Sequence, residues 1–305
     1  MHGKGSAVIL ITGATGGIGR ALTTRLGGRS DVDFRTAGRG GGSNDRGGSG
    51  EKPAANHVTM DFADPASVAA ALRDVDVVFL NSSQHPDMAA LQGTVVEAAR
   101  QAGVRHIVKV SSGNAFTGPD KPSWVGRAHA DVEAGIAASG MGWTFLRPRY
   151  FMQNLLGLAG PISAGTLPVA LTDARIAPID LRDIADAAAT ILTSPDDHHA
   201  RVYDLSGPES LTFGDVAKHL SDIFGTPVAH VTPTLQALVA SLADAGAPGW
   251  LQLHVVEGMT IFATDDSVAE VSSDVELVTG HAATTIERFI TDHKAAFTAG
   301  NGPAS

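Results

Sequence analysis

Three glycines stand three residues apart at Gly13, Gly16 and Gly19, within the run VILITGATGGIGR that spans Val8–Arg20. Glycines at that spacing suit the holding of a diphosphate. One permits a tight turn, one leaves no side chain between backbone and phosphate, and one lets a helix pack close to a strand. The flanking residues show which elements must position them. Val8–Ile11 is apolar without interruption, as a strand buried on both faces of a parallel sheet requires, and Arg20–Leu26 has the spacing of an amphipathic helix. The free N–H groups at the start of that helix would face the pyrophosphate. Contacts to a dinucleotide are therefore expected from Gly13, Thr15, Gly16, Gly17, Ile18 and Gly19. The bland alternative is a structural turn, and the strand before and helix after the glycines weigh against it.

About 20 residues past such glycines, an acidic residue accepts the adenosine ribose hydroxyls of NAD, whereas a basic residue there favours the 2′-phosphate of NADP. That place holds Arg39, whose guanidinium can take a phosphate in a bidentate manner, with Arg46 to assist. NADP is thus favoured over NAD, the alternative being an ordinary solvated arginine at a strand end.

The composition narrows the partners. With 305 residues, 43% of them hydrophobic, the chain can bury a substantial core. A net charge of −10 without any Lys or Arg cluster argues against nucleic acid, and the absence of cysteine excludes disulfides, thiolate metal sites and cysteine nucleophiles. The start MHGKGSA does not resemble a signal peptide and no apolar run approaches membrane length, so a cytoplasmic protein without membrane contact is expected. Twelve histidines are scattered singly apart from His198–His199. That pair, in SPDDHHAR, reads as a solvated loop, and no metal is expected.

Short apolar stretches alternate with Ala-rich helical ones, the rhythm of a doubly wound α/β sheet. Strands are expected at Ala7–Thr12, Asp33–Ala37, His57–Met60, Val75–Leu80, His106–Val110, Trp143–Leu146 and Arg201–Leu205, and helices at Asp183–Leu192, Phe213–Phe224 and Thr285–Phe297. The segment 39–56 is too polar and Gly-rich to pack a core and reads as a mobile loop. Thr212 with Asp215 forms a capping pair, stapled by Leu211 and Val216, and Thr284 with Glu287 repeats the device. The expected organisation is a parallel Rossmann sheet in 1–150, and in 151–305 a smaller α/β substrate lobe from which some segments return to the first domain.

Several motifs together resemble the NmrA-like branch of the atypical short-chain dehydrogenase/reductases. They are ITGATGGIG at Ile11–Gly19, AGR at Ala37–Arg39, MDFAD at Met60–Asp64, VSS at Val110–Ser112, HADVE at His129–Glu133, SGMGWTFLRPRYFMQNL at Ser139–Leu155 and the terminal VTGHAATTIERFITDH. The resemblance covers nearly the whole chain. It implies that Asp61 and Phe62 read the adenine edge and that Leu80, Asn81 and Ser82 pass beside the adenosine. Relatives carry Tyr-x-x-x-Lys after the fifth strand, where the phenol donates a proton and the lysine holds the ribose. Here the only tyrosines are Tyr150 and Tyr203, and neither is followed by Lys four residues on. Laying the relatives' pattern on VGRAHADVE puts Val125 at the tyrosine position, His129 at the lysine position and Glu133 one turn further along the same face. His129 can then hold the nicotinamide ribose, act as a general acid when protonated, or be an exposed helix residue. Ser111 and Ser112 end the fifth strand as donors to the nicotinamide or a substrate carbonyl, or as caps. Tyr150, Phe151 and Met152 follow the sixth strand, as a wall of the nicotinamide pocket or as ordinary core.

Two readings follow. In one, the protein transfers hydride from NAD(P)H to a quinone, ketone or imine, a small flat aromatic compound of the polyketide kind, with His129, Ser112 and Tyr150 as the catalytic group. A quinone best fits the missing phenol, since its hydroquinone anion is weakly basic, and its reduction would prime the ring for oxygen insertion. In the other, the same pocket senses a dinucleotide without turnover, and the 39–56 loop reports occupancy to a partner.

Overall fold

The computed structural model describes residues 7–39 and 56–298. Ile9, Leu10 and Ile11 of β1 (Val8–Thr12) are at most 2% exposed, so this strand has no face for solvent and lies inside the sheet. It pairs in parallel with β2 (Asp33–Gly38), which carries β3 (His57–Thr59) outside it. On its other side runs β4 (Val77–Leu80), followed in parallel by β5 (His106–Val110) and β6 (Gly142–Pro148). The short β7 (Thr166–Pro168) leaves this sheet, and β8 (Arg201–Leu205) completes it in the seven-stranded order β3-β2-β1-β4-β5-β6-β8. A separate two-stranded sheet pairs β7 in parallel with β9 (Ala229–Val231). The result is a doubly wound Rossmann sheet with a second, smaller parallel sheet.

Parallel neighbours need crossover connections, and the first half supplies helices for them. These are α1 (Gly17–Gly27), α2 (Pro65–Ala71), α3 (Met88–Ala102) and α4 (Trp124–Ala138). The later helices are α5 (Ala159–Ser163), α6 (Leu181–Thr193), α7 (Phe213–Phe224), α8 (Leu235–Asp244) and α9 (Gly249–Thr264), then the short α10 (Asp274–Thr279), α11 (Ile286–Asp292) and α12 (Lys294–Thr298). Two compact units result. One holds the described residues up to Ser111 with Ala128–Leu146 and Ile184–Tyr203, and its core includes Leu10, Met60, Leu72, Val78, Ile107 and Phe145. The other holds Ser112–Arg127, Arg147–Asp183 and the described residues from Asp204 on, around Met152, Leu167, Phe213, Leu220, Phe289 and Phe297.

Local signals were met unequally. At α7 the Thr212 hydroxyl accepts from the Asp215 N–H at 3.0 Å and the Asp215 carboxylate accepts from the Thr212 N–H at 2.9 Å, the reciprocal cap that the sequence predicts. The second capping pair is different. Thr284 gives both its N–H and its hydroxyl to the buried Asp183 carboxylate, at 2.8 and 2.9 Å, so Thr285 caps α11 instead by accepting from the Arg288 N–H. The last helix, expected unbroken over Thr285–Phe297, is interrupted at His293, and α1 begins three residues before the expected Arg20. His198–His199 is not merely a solvated loop. His198 Nδ1 lies 2.7 Å from the Tyr203 hydroxyl, and His199 Nδ1 accepts from the Trp143 N–H at 3.3 Å. The Thr144 hydroxyl donates to the His198 carbonyl, so it accepts from Nε2–H of the buried His106, 2.9 Å away. Arg46 and most of the 39–56 loop lie outside the described residues.

Candidate active site

Strand order reverses between β2 and β4 on either side of β1, and ligands of such sheets bind in the crevice beyond the carboxyl ends of the strands at that switch. Five of the expected site positions lie at those ends. Gly13, Arg39, Asn81 and Ser111 directly follow β1, β2, β4 and β5, and Asp61 comes two residues after β3. All five belong to the first unit.

The glycine turn is built for close approach. Gly13 has φ +65°, and a Cβ there would stand 2.7 Å from the Asn81 carbonyl oxygen. At Gly19 a Cβ would fall 2.2 Å from the Gly13 carbonyl oxygen and 2.6 Å from Ala14 Cα, so the helix presses directly on the turn. Gly16 is different, because its nearest neighbour would be 3.4 Å away and the protein itself does not require glycine there. The open space beside it would admit an approaching ligand, and glycine is also a favoured N-cap. Gly16 is also the N-cap of α1, with no side chain bonded to the first turn and no acidic residue within it. Asp64, Thr212 and Thr285 cap α2, α7 and α11 with their side chains, whereas α3, α9 and α10 start without one, as α1 does. An uncapped helix start behind a glycine cradle fits a pyrophosphate, through free N–H groups and the positive end of the helix dipole.

Thr12, which the sequence reading passed over, ties the two sides of the crevice together. Its hydroxyl accepts from the Asn81 N–H at 2.9 Å and lies 2.8 Å from the Asn81 carbonyl and 3.0 Å from that of Phe79. A threonine closing an otherwise apolar strand beside the glycines was the available signal. Leu80 is fully buried and Ile18 nearly so, so each offers a ligand its backbone rather than its side chain. Ser82 accepts from the side-chain amide of the buried Gln92 at 2.9 Å. Asp61 takes the Ala63 N–H on Oδ1 at 3.0 Å, Phe62 packs on the first core, and Arg39 is exposed at the end of β2.

Ser111 offers an orphaned polar group at the crevice. It is 6% exposed and its hydroxyl is buried without a hydrogen-bond partner among the described residues. Such a group costs about 1–3 kcal/mol unless something bonds to it. Its place at the end of β5 suits a polar group of the cofactor.

On α4, Val125, His129 and Glu133 are 1%, 7% and 5% exposed, so their common stripe faces inward and His129 is not the exposed helix residue of the bland reading. Against this stripe stands Lys109 of β5, fully buried, with Nζ 2.8 Å from His129 Nδ1 and 2.9 Å from the Val110 carbonyl. The sequence reading missed it, although a single lysine inside HIVKV, two residues before Ser111, was a visible anomaly.

Ser112, Tyr150 and Phe151 belong to the second unit. The Ser112 carbonyl accepts from the Thr117 hydroxyl at 2.7 Å. Tyr150 meets Phe213 and Phe262 edge to face at 5.6 and 5.5 Å, and burial pushes its phenol up to about 12. Phe151 bridges to Ile179. Arg149 between them and the end of β6 is held by a bidentate ion pair with Asp204, at 3.0 and 2.5 Å.

Sheet order, glycine cradle and uncapped helix define a dinucleotide-binding protein of Rossmann type. The chain belongs to the NAD(P)H-binding family, whose model matches residues 13–195, and within it to the NmrA-like, atypical short-chain dehydrogenase/reductase type. It is 34% identical over 292 residues to an NAD(P)H azoreductase of Xenophilus azovorans, covering 95% of this chain and 99% of that one. It is 36% identical over 258 residues to a (4-alkanoyl-5-oxo-2,5-dihydrofuran-3-yl)methyl phosphate reductase of Streptomyces griseus, covering 80% of this chain and 85% of the other. The structure of an NADPH-dependent quinone oxidoreductase of Escherichia coli, in complex with NADPH, superposes with a TM-score of 0.79 at 26% identity, covering 93% of this chain and 99% of that one. The protein is an NAD(P)H-dependent oxidoreductase. Among the described residues no helix is long and apolar enough to cross a membrane.

Proposed function

We propose that this oxidoreductase uses NADPH to reduce a quinone, and that its acceptor is a small, flat, multi-ring aromatic compound of the polyketide kind. The observation that carries the reading is Val125. Laying the relatives' Tyr-x-x-x-Lys pattern on VGRAHADVE puts a valine with 1% exposure at the phenol position, and the next polar group on that stripe is His129. Bound NADPH supplies the hydride. The protein supplies the cradle at Gly13–Gly19, the Ser111 hydroxyl, His129 toward the nicotinamide ribose, and Arg39 toward a 2′-phosphate. A quinone asks least of such a site, because its product is a phenolate-like anion that can wait for a proton from water. Hydroquinone formation would in turn prime the ring for oxygen insertion.

A second acceptor class deserves equal place in the assay, since the azoreductase relative matches almost the whole chain. The test is NADPH consumption, with and without oxygen, over 1,4-naphthoquinone, anthraquinones, polycyclic ketones, imines and azo dyes, with product masses recorded. Turnover of quinones above ketones and imines supports the proposal. Azo turnover alone would replace it, and tight NADPH binding without turnover of any acceptor would favour the sensor reading.

A further inference from the structure

Lys109 and His129 form a buried pair of bases in which the geometry constrains the protons. Lys109 Nζ stands 2.8 Å from His129 Nδ1, and the two side chains are 0% and 7% exposed. An ammonium has three donors and no lone pair, so it can bond to Nδ1 only while Nδ1 carries no proton. An imidazolium would turn N–H toward N–H at that distance and would place two positive charges side by side in a desolvated interior. Lys109 reaches the ring from β5, and Glu133, 5% exposed, follows one turn along α4 on the stripe of His129. The second hydrogen bond of Nζ, to the Val110 carbonyl at 2.9 Å, holds the lysine head in this orientation.

We infer that Lys109 is a positioning residue for His129, which holds Nδ1 as an acceptor, so that the imidazole stays neutral with its one proton on Nε2. His129 then acts as a fixed hydrogen-bond donor from Nε2, and does not act as an imidazolium acid near neutral pH. The inference rests on the proposed placing of His129 at the cofactor, but not on which acceptor is reduced.

The test reads the ring directly. In protein labelled with 15N-histidine, long-range 15N–1H correlation distinguishes the two tautomers and the imidazolium, and the His129 signals are identified by their loss in His129→Gln. Wild type should show an unprotonated Nδ1 and a protonated Nε2, unchanged from pH 5.5 to 8. In Lys109→Met, of similar length but without a donor, the ring should begin to titrate within that range, with its midpoint raised by at least one unit, or should shift to the Nδ1–H form. A wild-type ring that is Nδ1-protonated, or that titrates near the ordinary histidine value of about 6.5, would overturn the inference. So would an identical pattern in Lys109→Met. Should that variant fail to fold, the wild-type spectrum still decides. The readout needs no substrate, so its failure is distinguishable from failure of the acceptor screen.

Discussion

The three glycines of the turn should respond differently to the same added methyl group. At Gly13 an alanine must hold φ +65°, which costs about 1–2 kcal/mol, and its Cβ would stand 2.7 Å from the Asn81 carbonyl oxygen. Overpacking of that kind adds roughly 1–3 kcal/mol. The sum is about 2–5 kcal/mol, or a fall in melting temperature of roughly 3–8 °C for a chain of this size. At Gly19 the Cβ would press on backbone at 2.2 and 2.6 Å, where no side chain can swing away, so a comparable loss is expected despite the better helix propensity of alanine. At Gly16 φ is −78° and ψ 170°, open to any residue, and the nearest atom is 3.4 Å from the added Cβ. The loss of unfolded-state entropy favours alanine there by about 0.4–1 kcal/mol, and the weaker N-cap offsets it. Gly16→Ala should therefore melt with wild type. Its NADPH affinity should fall about tenfold or more, the equivalent of one charge-assisted phosphate contact of about 1.5–3 kcal/mol. Thermal melts of the apo proteins beside calorimetric titration with NADPH measure both quantities. Unchanged affinity in Gly16→Ala, or a melting loss equal to that of Gly19→Ala, would refute the assignment of Gly16 to the ligand.

Arg39→Ala should weaken NADPH by about ten- to a hundredfold, and NADH far less, because only NADPH has the phosphate that a bidentate guanidinium would hold. An equal loss for both would refute that role. His129→Gln should reduce cofactor affinity, and the wild-type pH–rate profile should lack a limb near 6.5, since Lys109 keeps the ring neutral; a limb there that vanishes in the variant would speak for acid duty instead. At the amino ends of the strands, burial, and secondarily His199, lowers His106 to about 4 from 6.5. The unfolded chain then binds the extra proton, so this stability is present above about pH 6.5 and is lost as pH falls toward 4, with a size of about 1–3 kcal/mol. Urea melts at pH 7 and pH 4.5 should show a smaller acid loss in His106→Gln than in wild type.

What was legible in the sequence was whatever depends on neighbours along the chain. The apolar run before Gly13, the glycine spacing and the Thr212–Asp215 cap each consist of residues within a few positions of one another, and each appears in the structure. The Thr284–Glu287 pair had the same local form and failed, because Asp183, 101 residues away in sequence, takes both donors of Thr284. Lys109 was missed for the same reason. Its partner His129 lies 20 residues on, across the strand–helix connection, and nothing in HIVKV states which side of the sheet the lysine enters. His106 and the His198 carbonyl meet at Thr144 because β5, β6 and the turn before β8 start at one edge of the sheet. Spacing shows a face, but a contact between distant segments has to be read from the fold.

The missing phenol weighs differently on different acceptors. Reducing a ketone without a proton donor leaves an alkoxide, whose conjugate acid has a pKa of about 16, close to that of water. At pH 7 that species lies about 9 units, or roughly 12 kcal/mol, above its protonated form. The anion left by a quinone is phenol-like, with a pKa of about 10, so the corresponding cost is about 3 units, or roughly 4 kcal/mol. The difference of about 8 kcal/mol is more than a single hydrogen bond from a neutral imidazole can supply, at about 0.5–1.5 kcal/mol. On the proposed alignment, with Val125 in place of the phenol and His129 held neutral by Lys109, such a site would serve quinones better than isolated ketones. His129, donating from Nε2 toward the nicotinamide ribose, would then orient the cofactor, and the final proton can come from solvent after the hydride has moved.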